Sequence, residues 1–147
     1  MSMPRPRPRP TQTPAFRVEK SDAQWRETLS AEQYSVLRRQ GTERAFTSAL
    51  NQEKRPGRFC CAGCGAPLFR MADKFDSGTG WPSFTQPEED AAVGTQTDRS
   101  LFMTRTEVHC AACGGHLGHR FPDGPAPTGQ RYCINGVALT FEPEEGA

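Results

Sequence analysis

The sequence has no long hydrophobic run. Hydrophobic residues make up 35% of its 147 residues, and mean hydropathy is −0.70. Nothing approaches the roughly 20 apolar residues of a membrane-spanning helix, and the amino terminus lacks the apolar core of a secretory signal. We therefore expect a soluble, cytoplasmic protein with no membrane partner. A dominant charge is missing too. Eighteen Lys and Arg against 17 Asp and Glu leave a formal +1, with both signs interspersed, so no sequence-independent attraction to nucleic acid is implied. The apolar content is low for a self-sufficient core: a chain of this length buries roughly two-thirds of its unfolded surface, and something besides packing has to hold it. What is plentiful is punctuation. Fourteen glycines and 13 prolines indicate many turns and short strands.

Residues 1 to 14 alternate Pro with Arg, which rules out an amphipathic helix and predicts an extended, disordered tail. We place its boundary at residue 19, leaving 20–147 as one domain. Ser21 with Gln24 and Ser30 with Gln33 have the spacing of capping boxes. They predict two short helices, one holding Trp25 and Leu29, the other Tyr34, Val36 and Leu37 and stopping at Gly41 as a C′ residue. Residues 42–57 read as mostly irregular. Beyond them short strands alternate with turns: 58–60, 67–71, 81–84, 93–97, 101–108, 130–135 and 137–141. The expected class is mainly β with antiparallel pairing and peripheral amino-terminal helices.

Six cysteines sort into two Cys-x-x-Cys-Gly units, Cys61/Cys64 and Cys110/Cys113, with Cys60 and Cys133 left over. Each unit supplies two thiols on a turn whose glycine lets the backbone fold toward them, half of a tetrahedral site. Two disulfides would fit an exported protein, but thiols stay reduced in the cytosol, so a structural metal, zinc with iron as the alternative, is the reading preferred here. Such a staple contributes on the order of 10 kcal/mol to folding. Four thiolates leave a metal no open position, so chemistry falls to a leftover thiol.

Cys60 adjoins a metal ligand. Cys133 lies in Arg131-Tyr-Cys-Ile-Asn135, which reads as a strand; alternation then puts Arg131, Cys133 and Asn135 on one face and Tyr132 and Ile134 on the other. The cation favours the thiolate, the nucleophilic form. His116 and His119 sit in a glycine-rich segment that reads as a turn able to approach another strand closely. A cysteine with nearby histidines is a nucleophile-plus-acid arrangement. The same residues also read as a core cysteine beside two surface histidines.

The chain resembles the B-type methionine sulfoxide reductases from about Lys20 to Phe141. The motifs are Lys20-Ser to Trp25, Leu29-Ser to Tyr34, Gly41-Thr-Glu-Arg44, Cys61-x-x-Cys-Gly-Ala-Pro-Leu-Phe69, Lys74-Phe-Asp-Ser-Gly-Thr-Gly-Trp-Pro-Ser-Phe84, Arg105-Thr-Glu-Val108, His116-Leu-Gly-His-Arg-Phe-Pro-Asp-Gly-Pro125 and Arg131-Tyr-Cys-Ile-Asn135. The resemblance implies two packed antiparallel sheets and reduction of the R epimer of methionine sulfoxide in oxidised proteins. Cys133 would attack sulfur while an acid protonates the departing oxygen. By resemblance His119 is that acid and His116 helps bind the oxygen; the residues alone do not rank the two. Trp81 would face the S-methyl group, although packing beside Pro82 explains it equally. Phe121 would wall the pocket, Asn135 would orient the bound group or the histidine, and Asp123 reads as a turn residue.

The resulting sulfenic acid has to be reduced. Many relatives carry a recycling cysteine where this chain has Thr79. Two routes remain: an external dithiol such as thioredoxin, or Cys60 as resolving thiol, for which a buried strand position is the preferred reading. We expect a monomer. The rival functions are a zinc-stapled binding module and a redox sensor switching through Cys60 and Cys133.

Overall fold

The computed structural model of the chain describes residues 16–99 and 104–144. Most of the expected tail, and residues 101–103 of one expected strand, lie outside them. At the tail's inner end Val18 N–H donates to Ala112 O at 2.8 Å, so residues 16–19 lie on the domain.

Both capping boxes form. Helix α1 (Asp22–Thr28) and helix α2 (Ala31–Arg39) start at Ser21 and Ser30, and in each the serine hydroxyl and the Gln24 or Gln33 side chain exchange hydrogen bonds with each other's backbone. The second helix ends at Arg39 with Gln40 as its cap, which leaves Gly41 at C′ as expected, but the left-handed residue is not the glycine. Gln40, with φ 57°, takes the left-handed position, and Gly41 follows it because a Cβ there would lie 2.7 Å from Ser35 Oγ. Between residue 42 and the first strand only Ala49–Asn51 forms a 3-10 turn.

The strands among the described residues are β1 (Gly57–Cys61), β2 (Pro67–Arg70), β3 (Lys74–Phe75), β4 (Ser83–Phe84), β5 (Val93–Asp98), β6 (Arg105–Cys110), β7 (His116–Phe121), β8 (Arg131–Ile134) and β9 (Leu139–Pro143). They build a three-stranded sheet, β2-β1-β9, and a six-stranded one, β3-β4-β8-β7-β6-β5, with antiparallel pairing throughout. Aromatics join the two. Phe69 of the small sheet stacks on Phe84 of the large one at 4.4 Å, and Phe59 meets Phe84 edge-on at 5.1 Å; all three are fully buried.

Three expectations change. Trp81 and Pro82 precede β4, and residues 136–138 form a 3-10 turn before β9. The histidine segment is a strand and not a turn, because its backbone pairs on both sides, with β6 and β8. The close approach expected of its glycine is real: a Cβ on Gly118 would lie 2.1 Å from Cys133 O.

Candidate active site and metal centre

Histidines three apart on a regular strand would face opposite ways. In β7 they do not. Val108 pairs with Gly118 but His109 with His116, so Leu117 is an extra residue, a bulge that resets the alternation. The rings of His116 and His119 come to 5.5 Å, edge to face. Across the large sheet Glu107, His119, Cys133 and Ser83 are successive partners and therefore share that face. Cys133 stands directly opposite His119.

Above them is a cavity of about 320 Å³ lined by Cys133, His119, Trp81, Phe121, Arg131 and Asn135, together with Thr42, Thr79, Arg105 and Gly118. Six of the residues singled out from the sequence thus meet in one place. His116 is not among the lining residues; it is buried, with Nδ1 on Glu107 Oε2 at 2.7 Å, while Glu107 Oε1 meets His109 Nδ1 at 3.0 Å. Burial pushes the Glu107 carboxyl up, yet these hydrogen bonds outweigh it and hold the group below its ordinary value. A larger cleft of about 850 Å³ lies beside Arg58, Arg70 and Glu142; none of the expected site residues lines it.

The site residues are held from behind. Trp81 Nε1 donates to Glu43 O at 3.0 Å, and Glu43 N–H donates to Asn135 Oδ1 at 3.0 Å. Asn135 Nδ2 donates to Leu117 O at 3.0 Å, so this amide ties β7 to the irregular segment that fixes the indole. The Glu43 carboxylate accepts the N–H groups of Gly136 and Val137, each at 2.9 Å. His119 Nε2 lies 2.8 Å from Asp98 Oδ2, and Arg105 Nη2 donates to the same oxygen at 3.3 Å. Asp98, Arg105, Glu43 and Glu107 were not singled out as site residues. Glu43, Arg105 and Glu107 lie within quoted motifs, but nothing local to them indicates what they bond.

Arg131 favours the Cys133 thiolate, but it is outweighed. Burial pushes the Cys133 thiol above its ordinary value; the Thr79 hydroxyl, Arg131 and Ser83 offset this only in part. Arg131 also donates through Nε and Nη2 to the Asp123 carboxylate at 2.9 and 3.2 Å, which makes Asp123 the anchor of that arginine. Burial likewise lowers His119, with the Asp98 hydrogen bond opposing it. Both shifts favour the uncharged forms, a thiol and a neutral imidazole.

Thr79 Oγ1 is 3.9 Å from Cys133 Sγ and 2.7 Å from Ser77 Oγ, which reaches Ser83 Oγ at 2.8 Å. Cys60 is buried on β1 and does not line this cavity. Burial raises its thiol, and the charges that act on it are Glu142, Arg58 and Glu88.

The two cysteine turns have the same backbone. Gly65 N–H donates to Cys61 O and Gly114 N–H to Cys110 O, both at 2.8 Å, with φ of 80° and 78° at the glycines. The Gly63 and Gly115 amides point at Cys61 and Cys113 Sγ, at 3.3 and 3.4 Å. All four sulfurs lie within 4.8 Å of one another, with Cys61 to Cys113 at 3.7 Å and Cys64 to Cys110 at 3.6 Å. That is too long for a disulfide, whose sulfurs are about 2.05 Å apart. It matches the roughly 3.8 Å edge of a tetrahedron of sulfurs set about 2.3 Å from a central ion. The cluster could hold a metal ion.

The SelR domain family matches residues 29–143. The chain is 55% identical over 134 residues to the peptide methionine sulfoxide reductase MsrB of Bradyrhizobium diazoefficiens, covering 91% of this chain and 96% of that one. It is 54% identical over 129 residues to its counterpart in Leptospira interrogans, covering 88% and 98%, and 56% identical over 126 residues to that of Thiobacillus denitrificans, covering 86% and 96%. With its two antiparallel sheets, its four-cysteine cluster and this degree of identity, the chain belongs to the SelR-domain family of B-type methionine sulfoxide reductases, which are oxidoreductases.

Proposed function

We propose that the protein reduces the R epimer of methionine sulfoxide in oxidised peptides and proteins, with Cys133 as nucleophile and His119 as acid. The observation that carries this reading is the cavity in which Cys133 stands opposite His119 between Trp81, Phe121 and Arg131. Because the free site favours a thiol and a neutral imidazole, the thiol supplies the proton. It passes by way of His119 to the sulfoxide oxygen as the Cys133 sulfur attacks the substrate sulfur. The attack makes a transient S–S bond; the hydroxyl then moves from the substrate sulfur to the Cys133 sulfur, so that the substrate's S–O bond and the S–S bond both break, an S–O bond to Cys133 forms, and methionine leaves as the thioether. Cys133–SH and the sulfoxide become Cys133–SOH and methionine, a two-electron transfer in which no atom is lost. Trp81 receives the S-methyl group, an aromatic contact worth roughly 0.3–1.5 kcal/mol. Asp98 fixes His119 through Nε2, leaving Nδ1 as the atom that handles the proton. Glu107 takes His116 Nδ1 and fixes that buried ring edge to face with His119, so His116 assists with the oxygen from behind His119.

An external dithiol, thioredoxin or a similar protein, then returns Cys133–SOH to the thiol, releasing water and a disulfide. Thr79 supplies no second sulfur, and Cys60 faces other groups. The four knuckle cysteines hold zinc in a closed, structural site, and the protein works as a cytoplasmic monomer. Coupled turnover of the R and S epimers tests the reading. R-selective activity that survives Cys60→Ser and is lost in Cys133→Ser supports it; comparable activity on S, or substantial activity in Cys133→Ser, contradicts it.

A further inference from the structure

Phe46 is the one large hydrophobic side chain among the described residues that stands well out in solvent, 73% exposed. Its φ is 66°, a left-handed conformation that bulky residues avoid. Its backbone N–H donates to Gly80 O at 2.7 Å, which pins the segment over the turn that carries Thr79 and Trp81. The ring lies against Gly80, where a Cβ would come within 2.8 Å of it. Any residue except Pro would make that hydrogen bond, and Gly or Asn would make it with less strain. An exposed aromatic kept in a strained backbone points to a task at the surface.

Phe46 borders a hollow of about 90 Å³ with Phe75, Pro82 and Trp81, rimmed by Lys54, Lys74 and Asp76. Trp81 also lines the cavity above Cys133. One indole is therefore the wall between the two. We propose that Phe46 and this hollow form a docking subsite for an apolar side chain flanking the methionine sulfoxide of an oxidised polypeptide. The inference rests on the reading that the Cys133 cavity takes the sulfoxide, to which the hollow is adjacent across Trp81. The chemistry of the occupant follows from the substrate. Methionine is mostly a core residue, and its oxidation disrupts that core, so the stretch presented to a repair enzyme carries apolar neighbours. Phe46, Phe75, Pro82 and the indole give the hollow its apolar contacts, among the polar side chains of Asn51, Gln52 and Ser77, and mixed apolar and polar lining is usual in a polypeptide-binding patch.

The test compares three substrates: two peptides of equal length with methionine sulfoxide flanked on both sides by Leu or by Ser, and the N-acetyl methyl ester of methionine sulfoxide. Wild type should prefer the Leu peptide by roughly fivefold in KM. Phe46→Asn and Phe46→Gly should abolish that preference, leave the ester unaffected, and raise Tm because both residues accept the left-handed backbone. Equal KM for the two peptides in wild type overturns the subsite, as does a lowered Tm with activity lost on all three substrates, which would make the ring structural. If wild type turns over none of the three, the assignment of the Cys133 cavity fails instead.

Discussion

The chemistry of this site is decided by burial at single residues. From the sequence Arg131 stands two residues from Cys133 and argues for a thiolate; in the fold it does favour that form while also binding Asp123, but desolvation of the thiol outweighs it. Alkylation by iodoacetamide should therefore be slow at Cys133 at pH 7 and accelerate with a midpoint above the ordinary thiol range, as followed by peptide mass mapping; a midpoint below 8 would restore the thiolate. His119→Asn should lower kcat by about 10²-fold or more, the usual worth of a placed acid. Asp98→Asn should also lower kcat while leaving KM little changed, measured on the small ester. Cys133, His119, Arg131 and Asn135 were legible because alternation along one short strand and two closely spaced histidines are local signals. Asp98 and Glu107 were not, since their partners are brought to them by pairing of distant strands.

At the level of elements, the device that makes the site is the bulge at Leu117. The glycine-rich composition around His116 reads as a turn, and only flanking by β6 and β8 makes it a strand, a tertiary effect that local propensity does not contain. Gly118 has no room for a side chain against Cys133 O. Gly118→Ala should destabilise the fold by about 1–3 kcal/mol or more and reduce turnover with it, read by chemical denaturation and kinetics; unchanged stability would mean β7 and β8 are further apart than described. The turn over residues 77–80 makes the complementary case. Thr79 Oγ1 already lies 3.9 Å from Cys133 Sγ, so Thr79→Cys should form an internal disulfide with Cys133 after one turnover, visible as the loss of two thiols. Persistence of both thiols would show that this position does not reach the nucleophile.

For the molecule as a whole, the weak apolar content of the sequence is answered by two features, only one of which was readable. The paired Cys-x-x-Cys-Gly units gave the cluster directly, because the turn chemistry of each is local. How the cluster is covered was not readable: Trp25 and Leu37 pack over Gly63, and Arg38 donates to Cys113 O at 3.0 Å, so α1 and α2 seal the knuckles. On the proposed structural-metal reading, stripping the ion, or Cys61→Ser or Cys110→Ser, should release about one metal ion per chain and unfold the domain together, a loss on the order of 10 kcal/mol. A metal-free variant that keeps wild-type Tm would make the cluster dispensable. In the proposed function one thiol does the chemistry and is reset from outside. A single turnover with one equivalent of R-methionine sulfoxide and no reductant tests it most directly, with methionine quantified, the sulfenic acid trapped by dimedone and free thiols counted by mass spectrometry. The account predicts one methionine per chain, one trapped sulfenic acid at Cys133 and Cys60 still a free thiol. Loss of Cys60 and Cys133 together as a disulfide, or methionine formed with Cys133 unmodified, would contradict it.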